Sequence, residues 1–218
     1  MTKRAAPVVL VATSGTGKTT LAHRLVDGPG RYVFSVSATT RPPRPSERDG
    51  VDYHFLTREV FEERVGEGWF AEWASVHDRM YGTPRSELDA AANRGDHVVL
   101  DIDVQGARQI RASVPDAKLI FVLPPSLDIM MARLTGRGTE DPEDIARRLK
   151  SALDELQAVP EFDYVVVNDV LDECLMEIRG IVERDEAPAP PGQDAAEMRR
   201  GIAGLLDGEY SAYQQHSE

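Results

Sequence analysis

Short apolar runs alternate with stretches of helical period along most of this chain. Pro7 to Val11 predicts a buried strand, and Lys18 to Val26 a helix stopped by Gly28-Pro29-Gly30. Val33 to Val36 predicts a short strand, followed by a loop rich in proline and charge from Arg41 to Gly50. Thr57 is placed to cap a helix running to Val65, ended by Gly66 and Gly68. Trp69 to Val76 predicts a strand. Thr83-Pro84 predicts an N-cap and N1 proline for a helix to Asn93, with Gly95 as its stop. His97 to Asp101 is an apolar strand ending in a carboxylate, and Lys118 to Leu123 is another buried strand. Ser126 predicts the cap of a helix to about Leu134. Asp141-Pro142-Glu143-Asp144 opens a longer helix in which Ile145, Leu149, Ala152, Leu153 and Leu156 keep a 3.6 period. Tyr164 to Val167 predicts the last strand, and a helix lies around Glu173 to Val182. Strands separated by helices imply parallel crossovers, hence an α/β domain with a parallel sheet core flanked by helices.

Composition narrows this picture. The 218 residues suit one well-cored domain with room for a small insert. No run approaches the roughly 18 apolar residues of a membrane span. The first apolar stretch leads into a glycine-rich motif, which predicts a strand and not a signal peptide. With one cysteine, Cys174, no intrachain disulfide can form, and a cytoplasmic location is expected. Net charge is −12, from 37 acids and 25 bases, which argues against general nucleic-acid binding. Eight acids and three bases fall in residues 183–218, whereas arginines gather at 41–48 and 133–148. That distribution points to small anionic ligands, not polyanions.

The chemistry begins at Ala12-Thr13-Ser14-Gly15-Thr16-Gly17-Lys18-Thr19, after the first strand and at the start of the first helix. This is the setting of a P-loop, whose backbone N–H groups and helix N-terminus wrap the β- and γ-phosphates. Lys18 adds a point charge, and the Thr19 hydroxyl can reach a magnesium ion. Ala12 stands where the strict pattern has glycine; a positive φ there would cost on the order of 1–2 kcal/mol. Asp101, at the carboxyl end of an apolar strand, or Asp103 just beyond it could hold a magnesium-bound water. A second anion site is suggested by Arg41 and Arg44, three residues apart, with Ser37 and Tyr53 nearby, in a loop stiffened by Pro42, Pro43 and Pro45 and followed by Glu47.

Taken in order, several stretches resemble the guanylate kinases. They are Ser14 to Thr19; Ser37 to Arg44; Gly50-Val51-Asp52-Tyr53-His54-Phe55; Phe70 to Ala74; Tyr81-Gly82-Thr83; Leu100 to Gly106; Arg133-Leu134 with Gly136 to Glu140; and Val167-Asn168-Asp169. The resemblance spans roughly residues 7–184. It implies the fold of the P-loop nucleoside monophosphate kinases, with a small GMP-binding insert and a mobile lid. It implies ATP and GMP as substrates and Mg2+ as cofactor, with no nucleic-acid or membrane partner. Ala12, Thr13, Ser14, Gly15, Thr16, Gly17, Lys18, Thr19, Thr20 and Asn168 would bind ATP. Ser37, Arg41, Arg44, Tyr53 and Tyr81 would hold the GMP phosphate. Glu72 and Thr83 would read guanine, and Asp101 and Asp103 would organise the acceptor site. Thr19 and Asp101 would serve the metal. Lys18, Arg41, Arg133, Arg137 and Arg148 would be catalytic.

On the same basis, residues 1–36 and 96–184 would form the P-loop core, with the lid at about 135–148. Residues 37–95 would bind GMP, and 185–218 would be a proline-rich linker and acidic tail holding one short helix, Ala195 to Leu206. Oligomeric state is not readable from these residues. A non-enzymatic relative of the fold would be expected to lose the P-loop and lid arginines. A kinase acting on sugar phosphates would be expected to lose Glu72 and Thr83.

Overall fold

The computed structural model describes residues 5–13, 15–76, 78–135, 142–186 and 195–204. Among them the chain forms two sheets. One carries the parallel order β2 (Tyr32–Phe34), β7 (His97–Asp101), β1 (Val8–Ala12) and the parallel pair β8 (Lys118–Leu123), β9 (Tyr164–Val167); the smaller has the order β4 (His54–Phe55), β3 (Ala38–Thr39), β6 (Arg79–Pro84), β5 (Phe70–Val76). The chain divides into two compact units, one of Met1–Val11 with Ala22–Leu119 and the other of Ala12–Leu21 with Ile120–Glu218.

In the first unit, β1 (Val8–Ala12) and β2 (Tyr32–Phe34) both run parallel to β7 (His97–Asp101). Val8 to Val11 are almost wholly buried, as a parallel strand covered on both faces must be. The same unit holds the smaller sheet: β3 (Ala38–Thr39), β4 (His54–Phe55), β5 (Phe70–Val76) and β6 (Arg79–Pro84). There β3 pairs parallel with β4 and antiparallel with β6, and β5 pairs antiparallel with β6. Beneath it lie Ala38, Phe61, Phe70 and Met80. Phe61 comes from α2 (Arg58–Gly66), whose Thr57 cap accepts the Val60 N–H at 3.3 Å as expected. The helix α3 (Arg85–Arg94) ends at Gly95 as expected. A further helix, α4 (Val104–Ser113), was not foreseen.

The second unit contains α1 (Lys18–Asp27) as far as Leu21, and the parallel pair formed by β8 (Lys118–Leu123) and β9 (Tyr164–Val167). Ser126 Oγ accepts the Ile129 N–H at 3.2 Å and so caps α5 (Leu127–Thr135). Along α6 (Pro142–Gln157), Leu149, Ala152 and Leu156 are buried, on the expected period. Helix α7 (Leu171–Arg184) buries Cys174, where loss of hydration pushes the thiol up to about 12. That thiol is a packing group. Residues 195–204 form a helix, α8, with Ala195, Met198 and Ile202 buried. A Cβ on its Gly201 would stand 2.4 Å from Leu127 Cδ2, so α8 lies directly on the start of α5. None of the described helices is long and apolar enough to cross a membrane.

Candidate active site

The first unit gathers a cationic clamp and a buried carboxylate. Arg41 follows β3, and its guanidinium lies 5.3 Å from the centre of the Tyr53 ring and 5.9 Å from that of Phe55. Tyr53 meets Tyr81 edge-on at 6.4 Å. Burial, and then the nearby Tyr81, push the Tyr53 phenol up, so it stays protonated and able to donate. Asp101 adds to the same shift and is therefore within electrostatic reach of Tyr53. Ser37 is fixed by its carbonyl, which accepts the His54 N–H at 2.9 Å. Arg44 is exposed on the loop beyond.

Glu72 lies on β5, 4% exposed. Its Oε1 accepts the Thr83 hydroxyl at 2.6 Å across the β5–β6 ladder. Burial raises the carboxyl to about 7; the Thr83 hydrogen bond opposes the rise and Asp103 adds to it. Helix α4 makes room for this group. A Cβ on Gly106 would stand 2.6 Å from Glu72 Oε2, so glycine is what allows helix and carboxylate to approach. The same helix holds the strand. Gln109 Oε1 accepts the Trp73 N–H at 3.1 Å, and its Nε2 donates to Trp73 O at 2.6 Å.

Thr83 behaves otherwise than the sequence suggests. Thr83 does not cap α3: Pro84 holds the N-cap position, and Thr83 is fully buried in β6 with its hydroxyl committed to Glu72. A partnerless buried carboxylate competes for that hydroxyl more strongly than a helix end open to water. Asp103 is the N-cap of α4, its Oδ1 accepting the Gly106 N–H at 2.8 Å.

The second unit holds the glycine-rich loop that the sequence reads as a P-loop. Gly15 and Gly17 have φ of 83° and 85°, a backbone that turns successive N–H groups towards one concavity. The Thr13 and Thr16 hydroxyls bond at 2.9 Å and close the loop from behind. Thr16 O accepts from Asn168 Nδ2 at 2.8 Å and from Arg133 Nη1 at 3.3 Å. Asn168 is buried and braces the loop, and Gly17 leaves no more than van der Waals space before it. Lys18, Thr19 and Thr20 open α1, and Arg148 is half-buried on α6. Ala12 ends β1, and among the described residues other than glycine only Asp78 and Asp185 have positive φ. The departure at Ala12 therefore carries no left-handed strain. Ser14 and Arg137, with the rest of 136–141, lie outside the described residues.

Among the described residues no three His, Cys, Asp or Glu side chains gather into a metal cage. Magnesium carried on phosphates asks for little more than a hydroxyl and water. The exposed Thr19, in the first turn of α1, offers that chemistry.

Three positions gained a function that sequence reasoning had not given them. Glu47 binds Arg41, Gly106 admits Glu72, and Glu87 Oε2 accepts the Val36 N–H at 3.2 Å just before Ser37. The signal available was only the six-residue spacing of Arg41 and Glu47 across a proline-rich loop.

The family described as guanylate kinase matches residues 4–185. The guanylate kinase of Anaeromyxobacter dehalogenans is 51% identical over 180 residues, covering 82% of this chain and 80% of that one. That of Nitratidesulfovibrio vulgaris is 51% identical over 172 residues, covering 79% and 83%. The crystal structure of guanylate kinase from Anaplasma phagocytophilum has a TM-score of 0.68 at 29% identity, covering 90% of this chain and 94% of that chain.

Proposed function

The chain belongs to the guanylate kinase family, and we propose that it transfers the γ-phosphoryl group of ATP to GMP or dGMP, giving ADP and GDP or dGDP. The observation that carries this reading is the buried Glu72 held by Thr83. Guanine offers two adjacent donors, N1–H and the 2-amino group. An ionised carboxylate accepts both, whereas adenine presents an acceptor at N1 and would set it against the carboxylate, acceptor to acceptor.

Ser37, Arg41, Arg44, Tyr53 and Tyr81 are assigned to the acceptor phosphate. Arginine forks and protonated phenols suit a phosphate dianion. Residues 37–95 are read as the GMP-binding segment, 1–36 and 96–184 as the P-loop core, and about 135–148 as its lid. The backbone of residues 12–17, with Lys18, Thr19 and Thr20, is assigned to the phosphates of ATP. Asn168, which donates to Thr16 O, is assigned to the neighbourhood of the adenine of ATP. Thr19 and Asp101 are assigned to magnesium, which would supply charge neutralisation.

A phosphate monoester has its second pKa near roughly 6, so the acceptor needs no general base at neutral pH. The obstacle is repulsion between two polyanions: one unit-charge pair about 4 Å apart costs roughly 4 kcal/mol at an effective dielectric near 20. Lys18, Arg41, Arg133, Arg137 and Arg148 are assigned to offset it. The remaining work is in-line positioning and exclusion of water.

ADP release in the presence of ATP and magnesium, compared across GMP, dGMP, AMP, CMP, UMP and no acceptor, tests this reading. Release with GMP and dGMP alone is expected. Release without acceptor, or with AMP equally, overturns it.

A further inference from the structure

We infer that Glu47 is a positioning residue that presents Arg41 to the acceptor phosphate; this deepens the reading of GMP as acceptor and rests on it. The geometry is a parallel fork. Arg41 Nη1 donates to Glu47 Oε2 at 2.9 Å, and Nη2 donates to Oε1 at 2.8 Å. Nη1 also donates to Pro42 O at 2.9 Å. A guanidinium has five N–H donors on two usable edges. Glu47 takes the terminal edge and leaves the edge formed by Nε–H and the second Nη2–H turned away from it, while the Tyr81 phenol, also assigned to the phosphate, lies within hydrogen-bonding reach of the guanidinium. That edge has the same two-donor geometry and matches two oxygens of a phosphate. The Tyr53 and Phe55 rings beside the guanidinium limit its swing.

Glu47 also fixes the second arginine, through backbone. Its Oε2 accepts the Arg44 N–H at 2.7 Å, and its own N–H donates to Arg44 O at 3.0 Å. One carboxylate thus closes the loop between the two cations assigned to the phosphate. The Arg41 and Glu47 side chains are only 17% and 13% exposed. Arg41 holds the Glu47 carboxyl well down, at about 2, so the pair stays ionised at every working pH. A long arginine loses much rotamer freedom when it binds an anion, and an arginine already held loses less. Against this, a carboxylate near an anion site repels the anion, so the sign of its net effect decides between a positioning group and a competitor.

Glu47→Ala and Glu47→Gln, each compared with the wild-type chain, test this. In Glu47→Ala, KM for GMP is expected to rise roughly tenfold or more, the scale of losing a charge-assisted hydrogen bond. Glu47→Gln, which keeps one accepting oxygen, is expected to lose less. KM for ATP should stay within about twofold, the spread of a near-neutral change. Competitive inhibition by guanosine, which lacks the phosphate, should be unchanged. A lower or unchanged KM for GMP would overturn the inference and make Glu47 a competitor or a bystander. Guanosine weakening in step with GMP would overturn it too, as a general loss of structure. Absence of GMP-dependent turnover in the wild-type chain would remove the premise itself, and is distinguished because no variant is needed to see it.

Discussion

Glu72 pulls in two directions, and the conflict gives its reading a measurable sign. Burial lifts its carboxyl from 4.5 to about 7. A raised acid keeps its proton in the folded chain after the unfolded chain has released it. Folding stability is therefore lost as pH climbs from about 4.5 towards 7, and is level beyond. Guanine bound as proposed would reverse the preference, since its two donors favour the ionised form. GMP binding should release a proton below about pH 7, and KM for GMP should rise towards acid. The limiting slope is about tenfold per pH unit. The GMP phosphate titrates near roughly 6 and adds its own slope. Comparison with Glu72→Gln isolates the carboxyl, because the variant keeps only the phosphate's contribution. That variant should also discriminate less between GMP and AMP, since an amide offers a donor beside its acceptor. Identical pH profiles in the two proteins would mean that Glu72 does not meet guanine.

Helix α4 acts on the site as an element. Its N-cap is Asp103, Gly106 faces Glu72, and Gln109 lies on the backbone of Trp73. Strand β5 is the outermost strand of its sheet, with only β6 beside it. The Gln109 amide, bonded to both the N–H and C=O of one residue, stands in for the missing strand and covers that edge. Gly106→Ala should raise KM for GMP with little change in KM for ATP, because the added carbon forces Glu72 or the helix aside. Gln109→Ala should instead act on stability: two lost hydrogen bonds cost about 1–2 kcal/mol, or roughly 2–8 °C in Tm. Equal effects of both changes on KM for GMP and on Tm would refute this separation of roles. Neither role could be read from the sequence. The segment Val104–Ser113 carries an interior glycine, Gly106, which reads locally as a helix breaker, although Gly106, Ala107 and Ile110 are buried on one helix. Strands β3 and β4 are two residues each, too short to show alternation. The longer strands β1, β7, β8 and β9 were legible because burial on both faces demands an unbroken apolar run. The P-loop was legible for a similar reason: its glycines and Lys-Thr meet local backbone needs, which adjacent residues express. The Arg41–Glu47 fork and the Gly106–Glu72 contact depend on side chains brought together by the fold, and no local pattern reports them.

At the scale of the whole molecule, the family match ends at residue 185, yet α8 at 195–204 is packed and not wholly solvated. Its buried positions Ala195, Met198 and Ile202 follow a helical stripe, and Gly201 lies against Leu127. The sequence view of this region, a linker and acidic tail with one short helix from Ala195 to Leu206, foresaw the helix but not the burial of Ala195, Met198 and Ile202; the charged residues exposed on α8 are Glu197, Arg199 and Arg200. If α8 serves packing, its loss should cost stability without altering chemistry. Ile202 is fully buried, and placing a carboxylate there without a partner would cost about 3 kcal/mol or more if the helix stayed docked. A ten-residue helix is marginal alone, so it has a cheaper option, which is to detach. Detachment caps the penalty at the docking energy. Ile202→Asp should therefore lower Tm while leaving kcat and both KM values unchanged at temperatures well below the transition. Adding Met198→Asp should lower Tm no further, since an element already released has nothing more to lose. Thermal melts of the wild-type, single and double variants decide it. An additive second drop would show that α8 stays docked and is integral to the core. A fall in kcat at unchanged Tm would show that the contact with α5, which carries Arg133 to Thr16, acts on the phosphate cradle.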